Sequence, residues 1–128
     1  MKHVSLIGRI LYAVPFAVFG FLHLNNASQL ASPQLAIVPS FLPVPIFWVY
    51  LTGLAFLAAS IAILFNRYSY WASLLLGIML VLFVLMVHLP QLPASLPFVL
   101  KDTSLAGAAF FIAGFASHTR THVEEKEL

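Results

Sequence analysis

Cysteine is absent from the 128 residues of this chain. That excludes thiol–disulfide exchange, thiolate metal ligands and iron–sulfur clusters carried by the chain alone. Charge is almost as scarce. Asp, Glu, Lys and Arg make up 8% of the sequence, against about 25% in an ordinary soluble domain. Three of the four acids, Glu124, Glu125 and Glu127, crowd the end of the chain, so Asp102 is the only other carboxylate side chain. With one acid there is no carboxylate pair at catalytic spacing, and neither a nucleophile–base signature nor a glycine-rich phosphate loop is present. A stand-alone enzyme is therefore not expected. The six basic residues are scattered singly, which leaves no patch for nucleic acid.

What is abundant is apolar. Hydrophobic residues are 62% of the chain and the mean hydropathy is +1.00. A small domain is mostly surface, and no water-soluble core of this length can hide so much apolar area. The bilayer is the solvent this composition demands. The stretch Ile46 to Leu89 makes the case most clearly: two apolar runs, 46–65 and 71–89, are separated only by Asn66-Arg67-Tyr68-Ser69-Tyr70. Each has about the 20 residues needed to cross a hydrocarbon core of roughly 30 Å. A turn that short cannot leave backbone groups unbonded in lipid, so the stretch predicts a transmembrane helical hairpin. Two further runs flank it. The expectation is all-α: an integral membrane four-helix bundle occupying 1–117 as one domain, with helices at about 4–24, 46–65, 70–89 and 97–117, and a polar cytoplasmic tail at 118–128.

The first run follows Lys2 and His3 and contains Arg9 and Pro15. A cleaved signal peptide is disfavoured, because the run is long for one and Arg9 lies inside it. Arg9, Ala13, Ala17, Gly20 and His23 are spaced four, four, three and three, which is one stripe of a helix. Small residues on a stripe let a second helix approach closely, so Arg9 and His23 are expected to point toward the protein rather than toward lipid. Residues 25–45 form a polar, proline-bearing loop with no charged side chain, expected to cap the bundle, with the run from Leu35 to Val38 along the interface. Trp48 and Tyr50, then Tyr70 and Trp71, mark headgroup level. Thr52, Gly53, Ala55, Ala58, Ala59 and Ala62 give the second helix a broad small-residue surface. In the third, Ser73, Gly77 and His88 return to nearly one face on a regular helical count. The fourth starts near Pro97, a favoured first helical residue, and carries Lys101-Asp102 in its first turns, with Gly107, Ala109, Ala113 and Gly114 as a close-packing surface. His3, His118 and His122 read as solvated residues.

Lys2, Arg9, Arg67, Arg120 and Lys126 fall on one side of a four-span arrangement, and Lys101 alone falls near the other. The positive-inside rule puts both termini in the cytoplasm. His23, Asn25, Asn26, His88, Lys101 and Asp102 then share the extracytoplasmic end. Three readings of these polar groups stand. They bond one another and fix the helix ends. Or His23, Asn26, His88, Lys101 and Asp102 line the mouth of a pocket for a small apolar ligand such as a quinone. Or His23, His88 and Asp102 hold a metal, with haem ligation by the two histidines as a variant.

The pattern Gly8-Arg9 and Gly20-x-x-His23 in the first run, Gly53 in the second, His88-Leu89-Pro90 closing the third, and Lys101-Asp102 with Gly107 opening the fourth resembles the DoxX / DoxX-like family over roughly residues 5–117. One feature departs: relatives of this kind look to carry an acid shortly after the glycine of the second helix, where this chain has Leu54, Ala55 and Phe56. The resemblance implies a small multi-pass protein of the bacterial or archaeal inner membrane. It implies an accessory or quinone-contacting subunit of a membrane redox complex, whose partners are the lipid bilayer, other subunits and further copies of itself. The alternative is a non-enzymatic interaction protein, such as a membrane chaperone, assembly factor or cargo-binding bundle.

Overall fold

A computed structural model describes residues 2–35 and 37–128. Among them there is helix and no strand. Four helices are long and apolar enough to cross a membrane: Lys2–Asn25, Pro45–Leu64, Ser69–Gln91 and Leu96–Glu127. Leu11, Leu75 and Phe111 are 70%, 62% and 76% exposed. Leaving side chains of that size uncovered in water is untenable along every helix, and lipid removes the difficulty. The chain is an all-α, multi-pass membrane protein.

The chain divides into two compact units, Met1–Phe65 and Asn66–Leu128. In the first, α1 (Lys2–Asn25) packs against α3 (Pro45–Leu64), with the short α2 (Ala27–Leu30) seated on both. The stripe read from the sequence is the packing face. Ala13 and Gly20 are buried, with Phe16 beside them. A Cβ added at Gly20 would lie 2.8 Å from the carbonyl oxygen of Gly53 and 3.0 Å from the backbone nitrogen of Leu57. At Gly53 it would meet the Cβ of His23 at 2.9 Å. Two glycines facing each other thus let two backbones touch, which is how membrane helices gain packing where lipid removes the hydrophobic drive. Below this crossing, Ser60 Oγ donates to the carbonyl of Ala13 at 2.7 Å, and Phe16 stacks on Phe56 at 5.5 Å between centroids. Not all of the small-residue surface of α3 is used: Gly53 and Ala59 are buried and Ala58 is exposed. Ala36, in the run expected along the interface, lies outside the described residues.

The loop enters α3 through Pro43-Val44-Pro45. Val44 has φ 50, a left-handed backbone that a β-branched residue adopts only under constraint. Trp48 Nε1 donates to the carbonyl of Pro43 at 2.9 Å and holds the turn over the first turn of the helix.

In the second unit, α4 (Ser69–Phe83) packs against α5 (Leu96–Glu127). Gly77 lies under Phe110, whose ring carbons would sit 2.8–3.0 Å from an added Cβ. Ser73, Leu76 and Leu80 complete the buried face. Beyond Phe83 the helix widens into a π-helical turn, Val84–His88, and then tightens into a 3-10 turn, Leu89–Gln91. Pro90 accounts for the change. It has no N–H to give, and its ring crowds the carbonyl four residues back, so the end of α4 loses a regular helical bond there, although Pro15 is accommodated inside α1. The wide turn shifts the register. On a regular count His88 continues the Gly77 face, but Val87 is the buried residue of the turn and His88 is half-buried. Residues 118–127, expected as a polar tail, continue α5 as exposed helix.

Candidate functional site

The polar residues of the second unit converge where α4 ends and α5 begins. The π-helical turn delivers His88 to Asp102, with Nε2 and Oδ2 2.9 Å apart. Lys101 Nζ stands 3.4 Å from Oδ1 of the same carboxylate. Asp102 is 8% exposed at its side chain, His88 19% and Lys101 47%. The carboxylate is therefore withdrawn, while the lysine reaches outward along its apolar stem, as lysines near membrane surfaces do. Phe98, one turn before Asp102, floors the cluster. Its ring stacks on His88 at 5.6 Å and 18° between planes, and Lys101 Nζ lies 5.4 Å from its centroid.

Ser95, just ahead of α5, does not cap the helix with its side chain. Its hydroxyl donates instead to the main-chain carbonyl of His88. That carbonyl lies in the disturbed turn, where regular helical bonding is lost, so the serine supplies a donor the helix itself does not. Asp102 lies in the second turn of α5, where the side chains of His88 and Lys101 reach it.

One turn deeper, Val81, Val84, Leu85, Thr103, Ala106, Gly107 and Phe110 line an open groove of about 320 Å³ on the same helix pair. Thr103 carries the one side-chain polar group in this lining. Leu85 shares the π-helical turn with His88, and Thr103 follows Asp102.

His23 and Asn26 belong to the first unit. His23 Nδ1 is 2.7 Å from the carbonyl of Phe19, and its ring meets Phe56 edge-on at 5.3 Å. Asn26 Nδ2 donates to the carbonyl of Leu22 at 3.1 Å. Both side chains are thus bonded to the helix that bears them or to its last turn. Among the described residues no three His, Asp or Glu side chains gather as a metal ligand set, and His88 and Asp102 stand as a hydrogen-bonded pair. Ser95 and Phe98, absent from the sequence-derived set, complete this cluster. A serine beside proline-marked turns and a phenylalanine in an apolar run carry no distinguishing pattern, so only their position in space reveals them.

A family model described as DoxX matches residues 4–89. No curated protein and no solved structure matches the chain.

Proposed function

We propose that this chain, which belongs to the DoxX family, is an accessory subunit of a quinone-linked redox complex of the inner membrane, with His88, Lys101 and Asp102 receiving the head of a small apolar ligand. The observation that carries this reading is Asp102. It is a withdrawn carboxylate at the end of a membrane helix, in contact with two groups that donate hydrogen bonds. Ionisable groups at such a depth are costly, and function is the common reason for keeping them. A quinone head presents carbonyl oxygens that accept from an ammonium or imidazole N–H, and its quinol form presents hydroxyls that donate to a carboxylate. The apolar groove beside the cluster suits the tail, and about 320 Å³ lies at the lower end of ligand-site volumes.

The proposal extends to topology. The basic residues Lys2, Arg9, Arg67, Arg120 and Lys126 place both termini in the cytoplasm by the positive-inside rule. The His88 cluster then faces the extracytoplasmic side, and His23 and Asn26, also expected to bind the ligand, bond to carbonyls of α1 in the first unit instead. Further subunits and further copies of this chain are the partners the reading requires.

The test is extraction of protein purified in mild detergent, with quinones quantified by mass spectrometry. Quinone is expected near one per chain, falling about tenfold or more in Asp102→Asn, as loss of a hydrogen bond to a charged group costs about 1.5–3 kcal/mol. Quinone only in the proportion found in bulk membrane lipid, unchanged by the substitution, would sink the reading.

A second reading rests on a specific observation: His88, Lys101 and Asp102 already satisfy one another. On that view the cluster fastens α4 to α5, and the chain is a non-enzymatic interaction protein. Asp102→Asn then lowers stability in detergent without altering bound small molecules, so the same preparation separates the two.

A further inference from the structure

The end of α5 holds a pair of histidines that the ligand reading above does not use. Their separation of four residues, His118 to His122, has meaning only on a helix, where positions i and i+4 lie above one another on one face. In an extended or disordered tail the two rings would be independent. Because α5 continues unbroken to Glu127, they are brought together. Their centroids are 4.8 Å apart with planes at 87°. Both residues are exposed, so the rings can turn their free nitrogens toward a common point. On the next turn, Glu125 Oε2 is 3.9 Å from Nδ1 of His122. At that distance there is no hydrogen bond, but rotation of the exposed carboxylate side chain can bring it onto one ring nitrogen while the other faces a ligand, the usual outer-shell arrangement of a metal-bound histidine.

We propose that His118 and His122 form a two-imidazole chelate for a late first-row divalent cation, Cu²⁺ above Zn²⁺ or Ni²⁺, with Glu125 as the positioning residue for His122. Imidazole suits these metals, and the Irving–Williams order puts Cu²⁺ first. Two histidines at i and i+4 are the same two-point geometry that helical zinc motifs use. Water fills the remaining coordination positions, since no third protein ligand joins the pair. The chain contains no cysteine, so no thiolate competes for such an ion.

The experiment uses the full chain, purified in detergent with any affinity tag removed, and titrated with Cu²⁺ and separately with Zn²⁺. One ion per chain is expected at this site, with a copper spin-resonance spectrum showing two equatorial imidazole nitrogens. His118→Ala and His122→Ala are each expected to weaken binding by at least about tenfold, the lower bound for losing even an outer-shell partner. The decisive control exchanges positions, Arg120→His with His122→Arg. It preserves composition and charge but sets the histidines two apart, on different faces of the helix, and binding should fall as it does in the single variants. Glu125→Gln should weaken binding less than removal of either histidine and leave the two-nitrogen signature in place. Equal affinity in the exchanged and original chains, or a spectrum with one imidazole or none, would overturn the proposal. So would binding that survives both alanine variants, which would assign the ion to His3, His23 or His88.

Discussion

The two helix pairs of this protein are fastened by opposite means. In the pair α1–α3 the main contact is backbone on backbone: Gly20 and Gly53 face each other with no room for a methyl group, His23 and Asn26 bond to α1 carbonyls, and Ser60 adds one bond across the pair. In the pair α4–α5 the approach is relaxed by an aromatic ring over Gly77, and the loop end is closed by a side-chain hydrogen bond between His88 and Asp102. Lipid explains why both work. Without a hydrophobic drive between helices, association comes from close packing or from polar pairs. A pair held by glycines needs little from its polar side chains beyond the single Ser60 bond. A pair joined by polar side chains carries ionisable groups at the helix ends whether or not a ligand uses them.

The largest expected effect breaks the first fastening. Gly20→Val places side-chain atoms against the Gly53 carbonyl and the Leu57 backbone, neither of which can swing aside. Overpacking of this kind costs about 1–3 kcal/mol and more when only backbone can yield, and a detergent denaturation series should show it at the upper end. Gly77→Ala is the sharpening control. There the obstacle is the Phe110 ring, a side chain with freedom to rotate, so the loss should be smaller and should be largely recovered by adding Phe110→Leu.

Asp102→Ala breaks the second fastening. It leaves His88 without its carboxylate, and an unsatisfied polar group of this kind costs about 1–3 kcal/mol. Nitrogen chemical shifts of His88 should move, while those of His23 should not, because His23 bonds to Phe19 in its own helix. A shift at His23 as large as that at His88 would contradict the separation of the two fastenings. Smaller again is Ser60→Ala, which removes one bond between α1 and α3. Such bonds in membrane proteins average about 0.6 kcal/mol, and the measured change in unfolding free energy should stay near that figure. A final effect, comparable in size to that of Ser60→Ala, has the opposite sign. Gly8 has nothing within 4 Å of an added Cβ, so Gly8→Ala should stabilise α1 by about 0.5–1 kcal/mol, since glycine in a helix interior is the more costly residue.

How far the sequence could be read varies with the physical origin of each feature. The stripe through Ala13, Gly20 and His23 was legible because regular helix repeats every 3.6 residues and α1 stays regular through it. At His88 the count is disturbed by the π-helical turn, yet the residue still meets α5, as Gly77 does. Pro90 is visible in the sequence, but whether the chain answers it by kinking, ending or widening depends on what the freed groups bond. Here a π-helical turn and the Ser95 hydroxyl supply the answer. Asp102 could be singled out as the one acid outside the tail, and His88 as a histidine ending an apolar run. That they meet at 2.9 Å, while His23 and Asn26 turn to their own backbone, was beyond any count of spacing.

The sequence by itself determined the solvent, the number of crossings and the helical class. These follow from composition and from the length of apolar runs, since a bilayer admits only segments whose backbone is bonded internally. It also offered faces small enough for close approach, of which the Ala13–Gly20 stripe is used while Ala58, Gly107 and Gly114 stay open. Tertiary structure decided which glycine meets a carbonyl and which meets a ring, and which ionisable groups pair. It also decided whether the last residues are a loose tail or a helix that stacks His118 over His122. Those outcomes depend on where one helix stands against its neighbour and on how disturbed turns satisfy their carbonyls, and residues distant in sequence settle both.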